Sequence, residues 1–306
     1  MSDKDLLGNG FPADVRVEKV TARTLGAWDH HEDVVAIAGS RAMASIAAEM
    51  DLPSLKLFQL TSAGFDGVPC DRFAQRGVAV ANAGSVYSAP IAETVVFGIL
   101  LMAKKLRPNP NNRRFKLVRH YSCITELAGK HVLIMGAGNI GTAVADRLAG
   151  FGMVIDGYDP FCPGKPQYAR ILRSREELCL GLKAYDYIVS TLPDNEQTRG
   201  FIDQELFDAM KPSAVVVNVG RKAVFDQEAF HGALRTGKIG GAVLDMFERL
   251  PNPVTNKFRR LKNVVVLPGV SAISQEVNVR LREHMCRNMM NLLEDRPISN
   301  VINGVR

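Results

Sequence analysis

His131 to Asp159, HVLIMGAGNIGTAVADRLAGFGMVIDGYD, is the stretch whose reading decides the fold. An apolar run from His131 to Met135 breaks into Gly136-Ala137-Gly138-Asn139-Ile140-Gly141. Small or apolar residues then recur at helical spacing, at Val144, Ala145, Leu148 and Ala149, before a second apolar run, Met153 to Tyr158, ends in Asp159. Strand, glycine turn, helix, strand and acid is the order that a dinucleotide site requires. Gly136 permits the tight turn, Gly138 lets the backbone approach a pyrophosphate, and Gly141 lets helix and strand pack without a Cβ between them. The start of the helix offers unpaired N–H groups and the positive end of a dipole to the phosphates. Asp159, 18 residues past Gly141, is placed to accept hydrogen bonds from the adenosine ribose and to repel a 2′-phosphate, which favours NAD over NADP.

The rest of the chain is consistent with an ordinary soluble protein. Its 306 residues suffice for two domains, each with its own core, and 46% of them are apolar against 23% charged. The longest apolar stretch, Ile91 to Ala103, contains Glu93 and Thr94 and falls short of the roughly 20 residues a membrane span needs. No N-terminal segment reads as a secretory signal. The five cysteines, Cys70, Cys123, Cys162, Cys179 and Cys286, are scattered and form no CxxC pair, so reduced thiols in a cytoplasmic protein, without metal or disulfide, are expected. The formal charge of +6 suits an anionic ligand. Its basic pairs, Arg113-Arg114 and Arg259-Arg260, lack interleaved aromatics and read as solvated surface, with neither nucleic acid nor membrane as partner.

Ahead of the glycine turn, Val15 to Val20, Val34 to Ala38, Leu55 to Leu60 and Val78 to Ala81 read as strands, with helices over Arg41 to Met50 and Asp71 to Arg76. That alternation implies a parallel sheet with crossover helices. Thr61-Ser-Ala63-Gly64-Phe-Asp66-Gly67 is then a loop at the carboxyl end of a strand, where open α/β sheets place ligands. Asn82 to Pro90 is a second polar loop, followed by a long apolar helix from Ile91. Pro108 and Pro110 break the chain after it, and the domain crossing is expected shortly before them. Beyond the turn, further strands are expected at Tyr187 to Thr191, Ala214 to Val219, Gly241 to Leu244 and Val264 to Leu267, bringing the nucleotide sheet to six, with helices at Gln204 to Met210, Gln227 to Thr236 and Gln275 to Glu294.

The series SAGFDGV, ANAGSVYSAPIAETV, ELAGKHVLIMGAGNIG, YIVSTLPDNEQTRGFI, VVVNVGRKAVFDQEAF and GGAVLDMFERLP resembles the D-2-hydroxyacid dehydrogenases, the family of formate, glycerate and phosphoglycerate dehydrogenases, in both order and spacing. The resemblance implies an α/β protein of two doubly wound parallel-sheet domains. One is a discontinuous, flavodoxin-like substrate domain, 1–103 with 275–306; the other is a Rossmann nucleotide domain, 104–274. It implies an NAD-dependent oxidoreductase acting on a small anionic 2-hydroxy or 2-oxo acid, and a homodimer. Arg221 matches the family's catalytic arginine, whose fork of donors grips a carboxylate and polarises a ketone. The backbone N–H groups of Ala63 and Gly64 would hold the carboxylate's other side. Asn139, Ile140, Pro160, Leu192, Pro193, Thr198, Val219 and Gly220 match the nucleotide lining, and Asp245 the contact to the nicotinamide carboxamide.

The departure is at the acid–base pair. The family places a histidine directly after the proline that ends the last strand, where this chain has Pro268-Gly269, and its partner glutamate five residues past the Asp245 position, where this chain has Leu250. Glu248 lies two residues too early. None of His30, His31, His120, His131, His231 and His284 falls at the gap. Lys222, next to Arg221, and Tyr87 are the substitute donors that the sequence offers. Two further readings stay open beside the dehydrogenase: a catalytically degenerate NAD(H)-binding regulatory or binding protein, and an enzyme reusing the NAD site for different chemistry.

Overall fold

The computed structural model describes residues 11, 15–26, 32–106, 124–245 and 257–305. Leu250, Glu248, His30, His31, His120, Cys123, Arg113, Arg114, Pro108 and Pro110 lie outside these residues. In chain order the elements are α1 (Ala22–Leu25), β1 (Ala36–Gly39), α2 (Arg41–Glu49), β2 (Leu57–Leu60), α3 (Cys70–Gln75), β3 (Ala79–Ala81), α4 (Ser88–Ala103), β4 (His131–Met135), α5 (Asn139–Ala149), β5 (Val154–Tyr158), β6 (Arg170–Leu172) and α6 (Arg175–Gly181). They continue with β7 (Tyr187–Ser190), α7 (Gln204–Ala209), β8 (Val215–Asn218), α8 (Gln227–Thr236), β9 (Gly241–Leu244), β10 (Val264–Val266) and α9 (Gln275–Leu293).

The chain divides into two compact units, Met1–Tyr87 with Ser274–Arg306, and Ser88–Ile273. The first holds a parallel sheet in the order β1-β2-β3. Leu57, Phe58 and Leu60 of β2 are fully buried. Ser40 starts α2 by accepting the Met43 N–H at 3.3 Å, the usual service of a serine at a helix start. The C-terminal residues return to this unit: Val301 bridges Ala81 antiparallel, and Asn303 accepts the Val80 N–H at 3.0 Å. Val15 to Val20, expected as a strand, forms no regular element and pairs with no sheet. Val17 is exposed, and Val20 alone of its valines packs against the core, so the segment lacks the buried face that would hold a strand.

The second unit carries an all-parallel sheet in the order β10-β9-β8-β7-β4-β5-β6. Its central strands are buried on both faces, which is why they read as continuous apolar runs. The sheet has seven strands where six were expected. The extra one, β6, is three residues long and has no period to read. It is held by Arg170, whose Nε donates to the buried Asp156 at 2.8 Å, with the Tyr185 hydroxyl donating to the same oxygen at 2.8 Å. Its neighbour α6, also not anticipated, opens with a capping box in which Ser174 and Glu177 satisfy each other's backbone N–H.

The chain crosses between units at Tyr87–Ser88 rather than at 103–104, because α4 packs on the nucleotide sheet. A Cβ on Gly98 would come within 2.8 Å of Val243 Cγ1, and Glu93 pairs with Arg147 of α5 at 3.2 Å. By length and composition Gly84–Ala103 would also pass as a membrane span, longer than the apolar run read from sequence, but 61% of that window is buried inside the protein.

Asp186, just ahead of β7, ties the glycine-turn strand into the sheet. It accepts the His131 N–H at 2.9 Å and pairs with Lys211 at 2.7 Å. Burial would raise its carboxyl, but these two partners outweigh burial and hold it below its ordinary value. A depressed acid adds stability above the unfolded value of about 3.9, lost as pH falls through the folded value. Asp186→Asn should therefore cost about 1.5 kcal/mol at neutral pH and flatten the loss of stability below about pH 4, as measured by urea unfolding across pH.

Candidate functional site

The turn between β4 and α5 is shaped by three glycines with different demands. Gly136 has φ +99°, and a Cβ there would lie 2.6 Å from Thr191 Oγ1. A Cβ on Gly141 would lie 1.9 Å from the Gly136 carbonyl oxygen, so strand and helix touch through a residue that can carry no side chain. Gly138 differs: a Cβ on it would meet nothing within 4 Å. It also starts α5 without any side-chain cap. The first N–H groups of an eleven-residue helix thus have no side-chain cap at the carboxyl edge of a parallel sheet, a ready cradle for a phosphate. Asn139 is exposed and Ile140 half-buried on this first turn. The residues present fit a dinucleotide.

Around the turn, Thr191 donates to the carbonyls of Met135 and Gly136 at 3.0 Å each, and Thr198 closes its own loop on the Pro193 carbonyl at 2.7 Å. Leu192 and Val219 are buried, Pro160 and Pro193 exposed. Gly220 lets the loops after β7 and β8 meet, since a Cβ on it would lie 2.8 Å from the Leu192 carbonyl oxygen. At the ends of those strands the Ser190 hydroxyl and the Asn218 amide nitrogen are buried without a hydrogen-bond partner, polar groups that a site bordering them could use. Asp159 does not present a bare carboxylate. One oxygen accepts the Ala137 N–H at 3.0 Å and the other accepts the N–H groups of Phe161 at 2.9 Å and Cys162 at 3.1 Å. Lys165, which the sequence reading missed, donates to the Ala137 carbonyl at 2.6 Å and to Thr142 Oγ1 at 2.9 Å.

Arg221 and Lys222 lie together in the loop after β8, both half-buried. Asp245, at the end of β9, is buried and holds the loop after β10: its carboxylate accepts the N–H groups of Gly269 at 3.1 Å, Val270 at 3.0 Å and Ser271 at 2.9 Å. Gly269, where the resemblance expects a histidine, has φ +75°. The backbone there is turned into the left-handed region, which glycine enters without the cost that a side chain carries.

In the first unit, Ala63 and Gly64 sit in the loop after β2. Asn82 donates to the Ala63 carbonyl at 2.8 Å and accepts the Gly84 N–H at 2.9 Å, while Ser62 donates to the Gly64 carbonyl at 2.7 Å. Tyr87 donates its hydroxyl proton to the Thr61 carbonyl, and burial pushes its pKa up. His284, which its distance along the sequence had set aside, shares a hydrogen bond of 2.9 Å with the Asn82 carbonyl. With Arg280, bonded to the Val86 carbonyl at 3.2 Å, and Asn288, bonded to the buried Gln59 at 2.6 Å, it forms a stripe at four-residue spacing along α9 that braces these loops. The spacing was legible; the loops it reaches were not.

A parallel sheet with an uncapped glycine turn at its carboxyl edge defines a nucleotide-binding α/β protein. The family model described as D-isomer specific 2-hydroxyacid dehydrogenase, NAD binding domain, matches residues 98–271. A glyoxylate reductase of Korarchaeum cryptofilum is 30% identical over 267 residues, 82% of this chain and 77% of that one. A D-3-phosphoglycerate dehydrogenase of Methanocaldococcus jannaschii is 30% identical over 261 residues, 81% of this chain and 48% of that one. The chain spans about half the length of the phosphoglycerate dehydrogenases that it matches. Among solved structures, the NADPH-dependent glyoxylate/hydroxypyruvate reductase of Sinorhizobium meliloti, in complex with NADP and malonate, superposes with a TM-score of 0.72 at 26% identity, covering 94% of this chain and 89% of that one. The chain belongs to the D-isomer specific 2-hydroxyacid dehydrogenase family.

The glycines separate folding from binding. Gly141→Ala should destabilise the protein by about 1–3 kcal/mol, whereas Gly138→Val should melt like the parent and weaken NADH binding at least about tenfold by occupying the phosphate approach, as seen by thermal unfolding beside NADH fluorescence titration. Gly269→Ala should cost about 1–2 kcal/mol through its left-handed backbone, a loss readable in the same melting curves.

Proposed function

We propose that the chain is a nicotinamide-dinucleotide-dependent oxidoreductase acting on a small anionic 2-hydroxy or 2-oxo acid, with a non-standard acid–base group. The observation that carries this reading is the uncapped start of α5 over Gly138, in a chain whose relatives include a glyoxylate reductase and whose structural neighbour holds malonate, a small carboxylate. When bound, the nucleotide supplies or accepts the hydride. Arg221 grips the substrate carboxylate and stabilises negative charge on the carbonyl oxygen. The family resemblance gives the N–H groups of Ala63 and Gly64, in the first unit, a carboxylate-binding role as well.

The proton comes from a group other than the family's histidine, whose place Gly269 takes, and whose partner glutamate is replaced by Leu250. Of the two substitutes, Tyr87 has its proton already engaged by Thr61 and its pKa raised by burial, which makes it a poor donor at neutral pH. Lys222, adjacent to Arg221, is the group we assign. A positioned acid contributes about a hundredfold to ten-thousandfold, so turnover is slow unless Lys222 fulfils that role.

The left-handed Gly269 favours a second reading, an NAD(H)-binding regulatory protein without turnover. The two separate when the purified protein is given reduced cofactor and a panel of 2-oxo acids. A dehydrogenase consumes the cofactor, and Arg221→Gln lowers its kcat/KM by about a hundredfold or more. Binding of NADH with no turnover on any acid, and with dimerisation that depends on the nucleotide, would instead sink the enzyme reading.

A further inference from the structure

The turn after β5 carries a charge arrangement that the Asp159 reading alone does not anticipate. An acid at this position discriminates against a 2′-phosphate when its carboxylate is free to face the ribose. Here both carboxylate oxygens are already engaged, by the N–H groups of Ala137, Phe161 and Cys162. Such bonds draw charge density toward the backbone and fix the carboxylate against its own loop. The same loop then brings a cation back to the site. Pro160 and Pro163 restrict it, and Gly164, at φ +135°, turns the chain so that the Lys165 ammonium reaches the Ala137 carbonyl and Thr142. Asp159 and Lys165 therefore flank one residue of the glycine turn, the acid on its N–H and the lysine on its carbonyl. A second cation borders the loop, since Arg173 donates to the Pro163 carbonyl at 3.0 Å.

A lone Asp159 would present one negative charge to the ribose. Lys165, on the other side of Ala137, brings a positive charge to the same turn, and the ammonium, which has three donors and here uses two, keeps one for a further acceptor. We infer that Lys165 is a specificity-determining residue of the nucleotide site, and that it makes the site accept the 2′-phosphorylated dinucleotide, NADPH, alongside NADH. This rests on the nucleotide reading of the turn given above and goes beyond it in naming the residue that sets the choice.

The experiment is direct binding, independent of turnover: fluorescence titration of NADH and of NADPH into the purified protein, into Lys165→Ala and into Lys165→Arg, with thermal melting to show that each is folded. The expected result is that the parent binds both nucleotides within about tenfold of each other, and that Lys165→Ala weakens NADPH by about tenfold or more while NADH changes by less than about threefold. Lys165→Arg, which keeps the charge, should restore most of the NADPH binding. Added salt should weaken NADPH more than NADH, because the extra contact is ionic. A parent that binds NADH but takes NADPH more than about a hundredfold less tightly overturns the inference and leaves the nucleotide reading standing. Equal weakening of both nucleotides by Lys165→Ala also overturns it, by making Lys165 only a brace of the turn. A parent that binds neither nucleotide overturns the nucleotide reading and this inference with it.

Discussion

The contact between Gly141 and the Gly136 carbonyl is the constraint on which the second unit depends. With 1.9 Å available where a Cβ would go, helix α5 approaches β4 as closely as backbone allows. That closeness places the start of α5 against the carboxyl edge of the sheet, where β4 has neighbours on both sides, β5 and β7. The strand order changes direction at β4, and the crevice at such a switch point is where open α/β sheets hold ligands. Gly138, at the uncapped start of the helix, leaves that crevice open.

The loops around this contact are held by acids acting on the backbone. Asp159 gathers the turn and the loop after β5, Asp245 gathers the loop after β10, and Asp186 fixes the start of β4. Each accepts backbone N–H groups next to a strand, and the buried Asp245 carboxylate is tolerable because three such groups supply it. The arrangement bears on function, because Asp159 and Asp245 are the acids that the family resemblance assigns to the nucleotide. Their oxygens serve the loops, which fixes both carboxylates in place.

Much of this was legible in advance. The parallel strand at Gly241 to Leu244 and the helix at Gln227 to Thr236 fall at the residues their patterns mark, because an unbroken apolar run and an Asp226 start with a Gly237 end are local signals. The seventh strand was not, since Arg170 to Leu172 offers no period and is held by a distant acid, Asp156, and by Tyr185. Nor was the place of α4. Its even apolarity marks burial but not the partner, and Gly98 shows its partner to be Val243 only once both are packed.

The sequence by itself determined the nucleotide turn, the parallel alternation and the family, because glycine spacing and hydrophobic period are set by neighbours along the chain. Tertiary structure decided what the charged and polar side chains of the site do. Lys165 returns to Ala137, His284 reaches Asn82, Asp159 turns to its own loop, and Gly269 adopts a left-handed backbone that no side chain would favour. Those outcomes depend on which distant donors and acceptors the fold brings within about 3 Å, and spacing along a chain carries no information about that distance.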